Sequence, residues 1–231
     1  MLLMLMLLVI AVIIFSLVIR PLRRQIAGIG REEPLDVEGA RELRFLARTY
    51  NDMLEQSRQT NEKLSYEASH DALTGLYNRA AYERLRKEWS DQSIALLLVD
   101  VDYFKSINDT YGHDVGDRVL RRVAEVLQNS FRGEDMVCRI GGDEFSVIMV
   151  HANASLTDLV RSKMMRAAQK LSAPSDDLPR VTLSVGVVFS DQRREGEDLF
   201  KLADQALYQT KMKGRNGCTV YQPDAEKTAE N

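Results

Sequence analysis

The chain has 231 residues, 45% of them hydrophobic and 28% charged, with a formal net charge of -3. That length suits one sizeable core plus a smaller attachment, and the mildly acidic balance supplies no basic face for nucleic acid. Cys138 and Cys218 are the two cysteines and form no CxxC pair, which argues against a disulfide framework or a zinc site and for a reducing compartment.

Met1 to Ile19 is apolar apart from Ser16. At about 1.5 Å per residue such a run spans roughly 28 Å, near the hydrocarbon thickness of a bilayer. A secretory signal would carry a basic stretch before the apolar run and a small-residue cleavage site after it. Here the run starts at Met1 and ends in Arg20-Pro21-Leu22-Arg23-Arg24, so residues 1–19 are expected to form a transmembrane helix with its arginine-flanked end in the cytoplasm. The expected location is therefore the inner, cytoplasmic membrane, with the helix in contact with lipid. A span beginning at Met1 leaves no room for an external segment, so upstream sequence with another span and a sensor domain is expected.

Gly28, Gly30, Pro34 and Gly39 are expected to break any continuous helix up to about residue 40. Beyond Ala40, Leu43, Leu46, Tyr50 and Met53 follow a 3-4-3 spacing; Ser57 and Leu64 extend one heptad position, and Leu54, Asn61 and Ala68 form a neighbouring stripe. The pattern predicts one long helix to Ser69 with a coiled-coil tendency. Polar Ser57 and Asn61 weaken the seam, and an ordinary amphipathic helix packed on its own domain is the alternative to pairing between chains. The segments "RPLRRQIAGI" and "GARELRFLARTYNDML" resemble a HAMP module, the signal-relaying helical pair below the membrane in bacterial receptors, with a connector shorter than usual. Residues 20–69 are thus expected to be a HAMP-like region and signalling helix.

The text from residue 71 reads as a compact mixed domain. "SIALLLVD" (Ser93 to Asp100) predicts a buried strand ending in an acid. A helix from about Asp114 to Ser130 carries Val115, Val119, Val123, Val126 and Leu127 on one face, and "VCRI" and "EFSVIMV" read as paired strands around two glycines. A helix from about Leu156 to Leu171, the strand "VTLSVGVVF" with Gly186 inside it, and the helix "EDLFKLADQALYQTKMK" stopped by Gly214 follow. Strands and helices alternate irregularly, which predicts an α+β fold with a central, largely antiparallel sheet flanked by helices. Residues 222–231, "QPDAEKTAEN", are polar and expected to be a disordered tail.

The chemistry concentrates in acids. In "RIGGDEF" (Arg139 to Phe145), Gly141 and Gly142 are expected to supply the positive φ of a tight hairpin and to leave room for a ligand. Asp143 and Glu144 then stand at its tip, beside Asp100 and Asp102 at the end of the apolar strand. Carboxylates in that arrangement suit magnesium, which takes a few of them and completes its shell with water and phosphate oxygens. A solvated acidic turn is the plain alternative for a lone "GDE". The surroundings favour the site: in "DVDYFKSINDTYGHDVGD", Lys105 offers a point charge to phosphate. Asn108 and Asp117 suit guanine, whose two N–H donors a carboxylate accepts as a pair and adenine does not present. Lys211 and Arg215, four apart at a helix end, are expected to reach one triphosphate.

From about His70 to Tyr221 the sequence resembles a GGDEF domain, the diguanylate cyclase family, through five motifs in order: "DALTGLYNR", "DVDYFKSINDTYGHDVGD", "RIGGDEF", "LSVGV" and "LYQTKMKGRN". The resemblance implies a catalytic domain over residues 70–221 built as a five-stranded nucleotide-cyclase-like palm. It implies that Asp100, the carbonyl of Val101 and Asp143 bind magnesium, with manganese as a substitute. Asp143 is also implied as proton acceptor, Glu144 as part of the acidic tip, and Lys105 as stabiliser of the reacting phosphate. Phe104, Asn108, His113, Asp117, Gly141 and Gly142 are implied around the substrate, and Lys211 with Arg215 on its phosphates.

The implied reaction joins two GTP into cyclic di-GMP with release of two pyrophosphates, each domain of a homodimer holding one GTP. "RGED" (Arg132 to Asp135) reads by itself as a surface ion pair. The family carries an RxxD inhibitory site for its product at this offset, so Arg132 and Asp135 are expected to bind cyclic di-GMP as an inhibitor. A catalytically idle GGDEF domain acting as a GTP or cyclic di-GMP receptor, and a pure signalling scaffold, are the rival readings. The intact acidic tip argues for activity.

Overall fold

The structure is a computed structural model that describes residues 2–29, 31, 33–38, 41–89, 92–173 and 178–223. The expected tail lies outside the described residues from 224 onward. The chain divides into two compact units, Met1–Tyr66 and Glu67–Asn231.

In the first unit α1 (Leu2–Ile14) continues through a π-helical stretch, Phe15–Ile19, into α2 (Arg20–Ile29). Leu2–Arg24 is a helical run of 23 residues, long and apolar enough to cross a membrane. Gly28 does not break this helix, contrary to expectation. It lies within α2, and a Cβ there would sit 2.6 Å from Leu35 Cδ2, so the bare glycine makes room for the buried Leu35 side chain. Gly30 and Gly39 fall outside the described residues. The long helix α3 runs Arg41–Ser69. Its Asn51 receives the Leu35 N–H at 2.7 Å and donates to the Leu35 carbonyl at 2.9 Å, which pins the connector to α3.

The second unit holds one five-stranded sheet: β1 (Ile94–Val101), β2 (Met136–Arg139), β3 (Glu144–Val150), β4 (Leu183–Phe189) and β5 (Gly217–Val220) in the order β2-β3-β1-β4-β5. Strand β1 runs antiparallel to both β3 and β4, and β2 antiparallel to β3, while β5 lies parallel to β4. The sheet is mixed and mostly antiparallel. Strand β1 is apolar at consecutive positions because both its faces are covered. Ala95, Leu97, Val99 and Val101 pack with α6 (His113–Gln128) and α7 (Thr157–Ser172). Ile94, Leu96 and Leu98 face α4 (Arg79–Glu88) and α8 (Leu199–Met212). The short α5 (Phe104–Tyr111) follows β1 directly.

Candidate active site

The period-two alternation of β1 turns Asp100 to the α8 side of the sheet, at the strand's end, opposite Glu144 in the ladder. One residue on, the Val101 N–H donates to the Asp143 carbonyl at 3.1 Å, so the Gly-Gly-Asp turn is fastened to the end of β1. Neither Gly141 nor Gly142 takes a positive φ, which corrects one of the two reasons expected for them. The other expected reason, room for a ligand, is compatible with their surroundings. A Cβ on Gly141 would lie 2.7 Å from the Glu144 Oε2, and one on Gly142 would meet nothing within 4 Å, leaving open room beside the acids.

Asp100 is half-buried and its carboxylate pairs with the Lys211 Nζ at 2.7 Å. Burial pushes its pKa above the usual carboxylate value, the Lys211 hydrogen bond and charge pull it down, and the charges of Asp143 and Asp102 push it up again. Negative charge thus accumulates at the end of β1 without full compensation. Among the described residues no group of three or more Asp, Glu, His or Cys side chains gathers as a metal cage. Two carboxylates and a backbone carbonyl are nevertheless a donor set that fits magnesium, an ion that keeps water and phosphate oxygens in its shell.

Helix α5 carries Lys105, which is exposed, and Asn108, which is partly buried. The Asn108 Oδ1 is buried and has no hydrogen-bond partner. It lies where a Cβ on Gly116 of α6 would come within 1.9 Å, and the Phe104 ring closes the same spot at 3.3 Å. An unpartnered buried amide oxygen is costly, about 1–3 kcal/mol, unless a ligand donor satisfies it. Asp117, next to Gly116, is partly buried, whereas His113 is exposed at the first position of α6. Gly112, between the two helices, takes φ +86 to make the corner.

Lys211 and Arg215 do not share a helix end as expected. Lys211 is in the last turn of α8, while Arg215 lies beyond it in a turn where Gly214, Arg215 and Asn216 all have positive φ. The Arg215 guanidinium stacks 4.9 Å from the centroid of the Tyr103 ring.

Two further acids, which the sequence left without separate roles, organise the site. Asp102 is 3% exposed and accepts hydrogen bonds from Thr182 Oγ1 at 2.7 Å, Ser184 Oγ at 2.6 Å and the Asn216 N–H at 3.0 Å. It belongs to the scaffold, while Asp100 faces the open site. Asp71, in the loop after α3, accepts from Arg139 Nη1 at 3.0 Å, and the same guanidinium donates to the Gly142 carbonyl at 2.8 Å from Nη2. The glycine turn is thereby latched to the domain's first loop. Burial alone would raise the Asp71 pKa, but Thr74 and Arg139 outweigh it and hold the carboxyl below its ordinary value.

Arg132 and Asp135 lie in a tight turn in which the Arg132 N–H donates to Asp135 Oδ2 at 2.9 Å and the Asp135 N–H to the Arg132 carbonyl at 3.0 Å. The Arg132 side chain is exposed and touches Glu134 at 3.5 Å. A cleft of about 220 Å³ adjoins them, lined also by His70, Tyr77 and Gln128.

With this fold and site in view, the chain belongs to the diguanylate cyclase GGDEF-domain family, whose model, "Diguanylate cyclase, GGDEF domain", matches residues 68–217. Diguanylate cyclase DgcM of Escherichia coli (strain K12) is 37% identical over 176 residues, 72% of this chain and 41% of that protein. The chain therefore spans about two fifths of that relative's length. A crystal structure of the coiled coil and GGDEF domain of DgcB from Caulobacter crescentus in complex with c-di-GMP is similar at a TM-score of 0.65 and 31% identity, covering 78% of this chain and 98% of that one. Diguanylate cyclase SiaD of Pseudomonas aeruginosa, solved in complex with its activator SiaC, is similar at a TM-score of 0.60 and 35% identity, covering 78% and 72%.

Proposed function

We propose that the chain is a membrane-anchored diguanylate cyclase that condenses two GTP into cyclic di-GMP and two pyrophosphates as a homodimer, under feedback by its product. The observation that carries the reading is the turn fastened to the end of β1, which keeps Asp100 and Asp143 close enough for their charges to interact, with Lys211 alongside. Asp100, the Val101 carbonyl and Asp143 would hold magnesium or manganese. That ion supplies charge neutralisation on phosphate oxygens and a lower pKa for a nearby hydroxyl.

The chain's own residues do the rest. The orphaned Asn108 oxygen and the Asp117 carboxylate accept the guanine N–H donors, with His113 at the rim and Phe104 behind. Lys211 and Arg215 bind phosphates, and the open space over Gly142 admits the nucleotide. The 3′ oxygen of one GTP forms a bond to the α-phosphorus of the other, pyrophosphate leaves, and Asp143 takes the hydroxyl proton. Lys105 stabilises charge on the reacting phosphate, and Glu144 keeps the tip anionic. Repeating the step in the other direction closes the ring.

One domain holds one GTP, so pairing of two chains is part of the chemistry. Phe45, Leu46, Met53, Leu64 and Tyr66 are exposed on α3, which suits a paired helix. Residues 1–19 serve as the membrane anchor with the domain in the cytoplasm. Residues 20–69 act as a HAMP-like relay, residues 70–221 as the catalytic domain and residues 222–231 as a tail. Arg132 and Asp135 form the product's inhibitory site, supported by the neighbouring cleft and by a structural relative, DgcB, solved with c-di-GMP. Incubating the full chain with GTP and magnesium and weighing the nucleotides by mass spectrometry tests the reading. A peak at the mass of cyclic di-GMP is expected, and unchanged GTP contradicts it.

A further inference from the structure

The turn after α8 is unusual in its backbone. Gly214, Arg215 and Asn216 have φ of 107, 64 and 47, and two of these residues carry a Cβ. Non-glycine residues held in the left-handed region persist only where surrounding contacts over-determine them. Two moorings do so here. The Arg215 N–H donates to the Thr210 carbonyl at 3.1 Å, and Thr210 is itself buried, with its hydroxyl on the Val185 carbonyl at 2.8 Å. The Asn216 N–H donates to the Asp102 carboxylate at 3.0 Å. Asp102 is also fixed by Thr182 and Ser184, so this buried acid ties the end of β1, the start of β4 and the turn together.

The residue after Asp102 completes the arrangement. Tyr103 also has a positive φ, of 57, which turns its ring outward at the start of α5, where it is 65% exposed. An exposed tyrosine is a poor way to bury apolar area. As a flat platform under a cation it is useful, and the Arg215 guanidinium lies 4.9 Å from its centroid. Two separate left-handed backbones thus converge, one supplying the ring and the other the guanidinium.

We propose that Asp102 and Tyr103 are positioning residues for Arg215: the buried carboxylate fixes the backbone that carries the arginine, and the ring holds its guanidinium ready for the phosphates of a nucleoside triphosphate. The proposal rests on the reading that Arg215 binds substrate phosphate. A free arginine loses side-chain entropy when it grips a ligand, and one already stacked loses less, so the pair raises affinity by pre-organisation. The two aspartates of "DVD" therefore divide the work. Asp100 faces the ligand and Asp102 faces the scaffold.

The test is a mutant cycle on the full chain, with affinity for a non-hydrolysable GTP analogue plus magnesium measured by calorimetry and KM and kcat measured alongside. Tyr103→Ala is expected to weaken binding about fivefold and to act on KM more than on kcat, and Tyr103→Phe, which keeps the ring, is expected to restore it. Arg215→Ala is expected to weaken binding ~10-fold, with no further loss when Tyr103→Ala or Asp102→Asn is added. Multiplying losses in the double variants, or wild-type affinity in Tyr103→Ala, would overturn the proposal. If Asp102→Asn does not fold, the Tyr103 variants, altered at an exposed ring, still decide. Wild-type binding in Arg215→Ala removes Arg215 from the substrate and the proposal with it. Failure of the wild-type chain to bind the analogue overturns the nucleotide reading itself.

Discussion

Keeping a carboxylate charged at the end of a buried strand is costly, and the two acids Asp100 and Asp71 stand on opposite sides of that cost. The Asp100 pKa is raised above 3.8 by burial and by its anionic neighbours. Its ionisation therefore destabilises the fold as pH rises through the raised value, and the effect is absent below the unfolded-state pKa. The Asp71 pKa is lowered, because Thr74 and Arg139 outweigh its burial. Its stabilisation is present above the unfolded-state pKa and is lost as pH falls through the depressed value. Thermal melts across pH in metal-free buffer are expected to show Asp100→Asn stabilised at pH 7 and equal to wild type in strong acid. Asp71→Asn is expected to be destabilised at pH 7, with the difference again closing in acid. Melts with the same sign for both variants would contradict this assignment. Residue type and spacing alone do not separate Asp100 from Asp102 at the end of the same apolar strand, and only the family resemblance put the metal on Asp100. What separates them is the position of Thr182, Ser184 and Asn216, which only the folded chain brings to Asp102.

At the scale of elements, the strands that cross the core were legible because burial on both faces leaves long apolar runs in β1, β3 and β4. The pairing of β2 with β3 around the two glycines was read from the sequence, whereas the antiparallel pairing of β1 with both β3 and β4 is a finding of the structure. Less legible were α5 (Phe104–Tyr111), which buries only Ile107, and β5 (Gly217–Val220), four residues at a sheet edge. Strand β5 is parallel because α8 carries the chain back before it joins β4, so neither its presence nor its direction shows in local pattern. Of the two reasons expected for Gly141 and Gly142, positive φ is not taken, while open room is found over Gly142. Gly186 is a sharper case of the same need. A Cβ there would lie 2.2 Å from the Ala203 carbonyl oxygen and the Leu207 nitrogen, backbone atoms of α8 that cannot move aside. Gly186→Ala is expected to cost about 3 kcal/mol or more and to lower Tm by on the order of 10 °C. A melt within a degree of wild type would show that α8 does not bear on β4 this tightly.

For the whole molecule, the account requires two domains to meet and α3 to bring them together. Leu64 is 57% exposed on that helix and belongs to no part of the nucleotide site. Leu64→Glu is expected to reduce specific activity by about tenfold at equal concentration while leaving affinity for a GTP analogue as it was. Equal activity with the chain still paired would remove α3 from assembly. The proposed feedback belongs to this scale as well, because product held at Arg132 and Asp135 would act on a reaction elsewhere in the domain. Arg132→Ala, at a side chain 71% exposed, is expected to raise product yield and flatten the inhibition curve, and superimposable curves would refute the site.

The most direct test compares wild type with Asp143→Ala, following cyclic di-GMP by mass spectrometry and folding by thermal melt. The variant is expected to make no detectable product while melting at or above the wild-type temperature, since the repulsion between Asp143 and Asp100 is relieved, and to bind a GTP analogue more weakly for want of one metal ligand. Synthesis by the variant at the wild-type rate would contradict it.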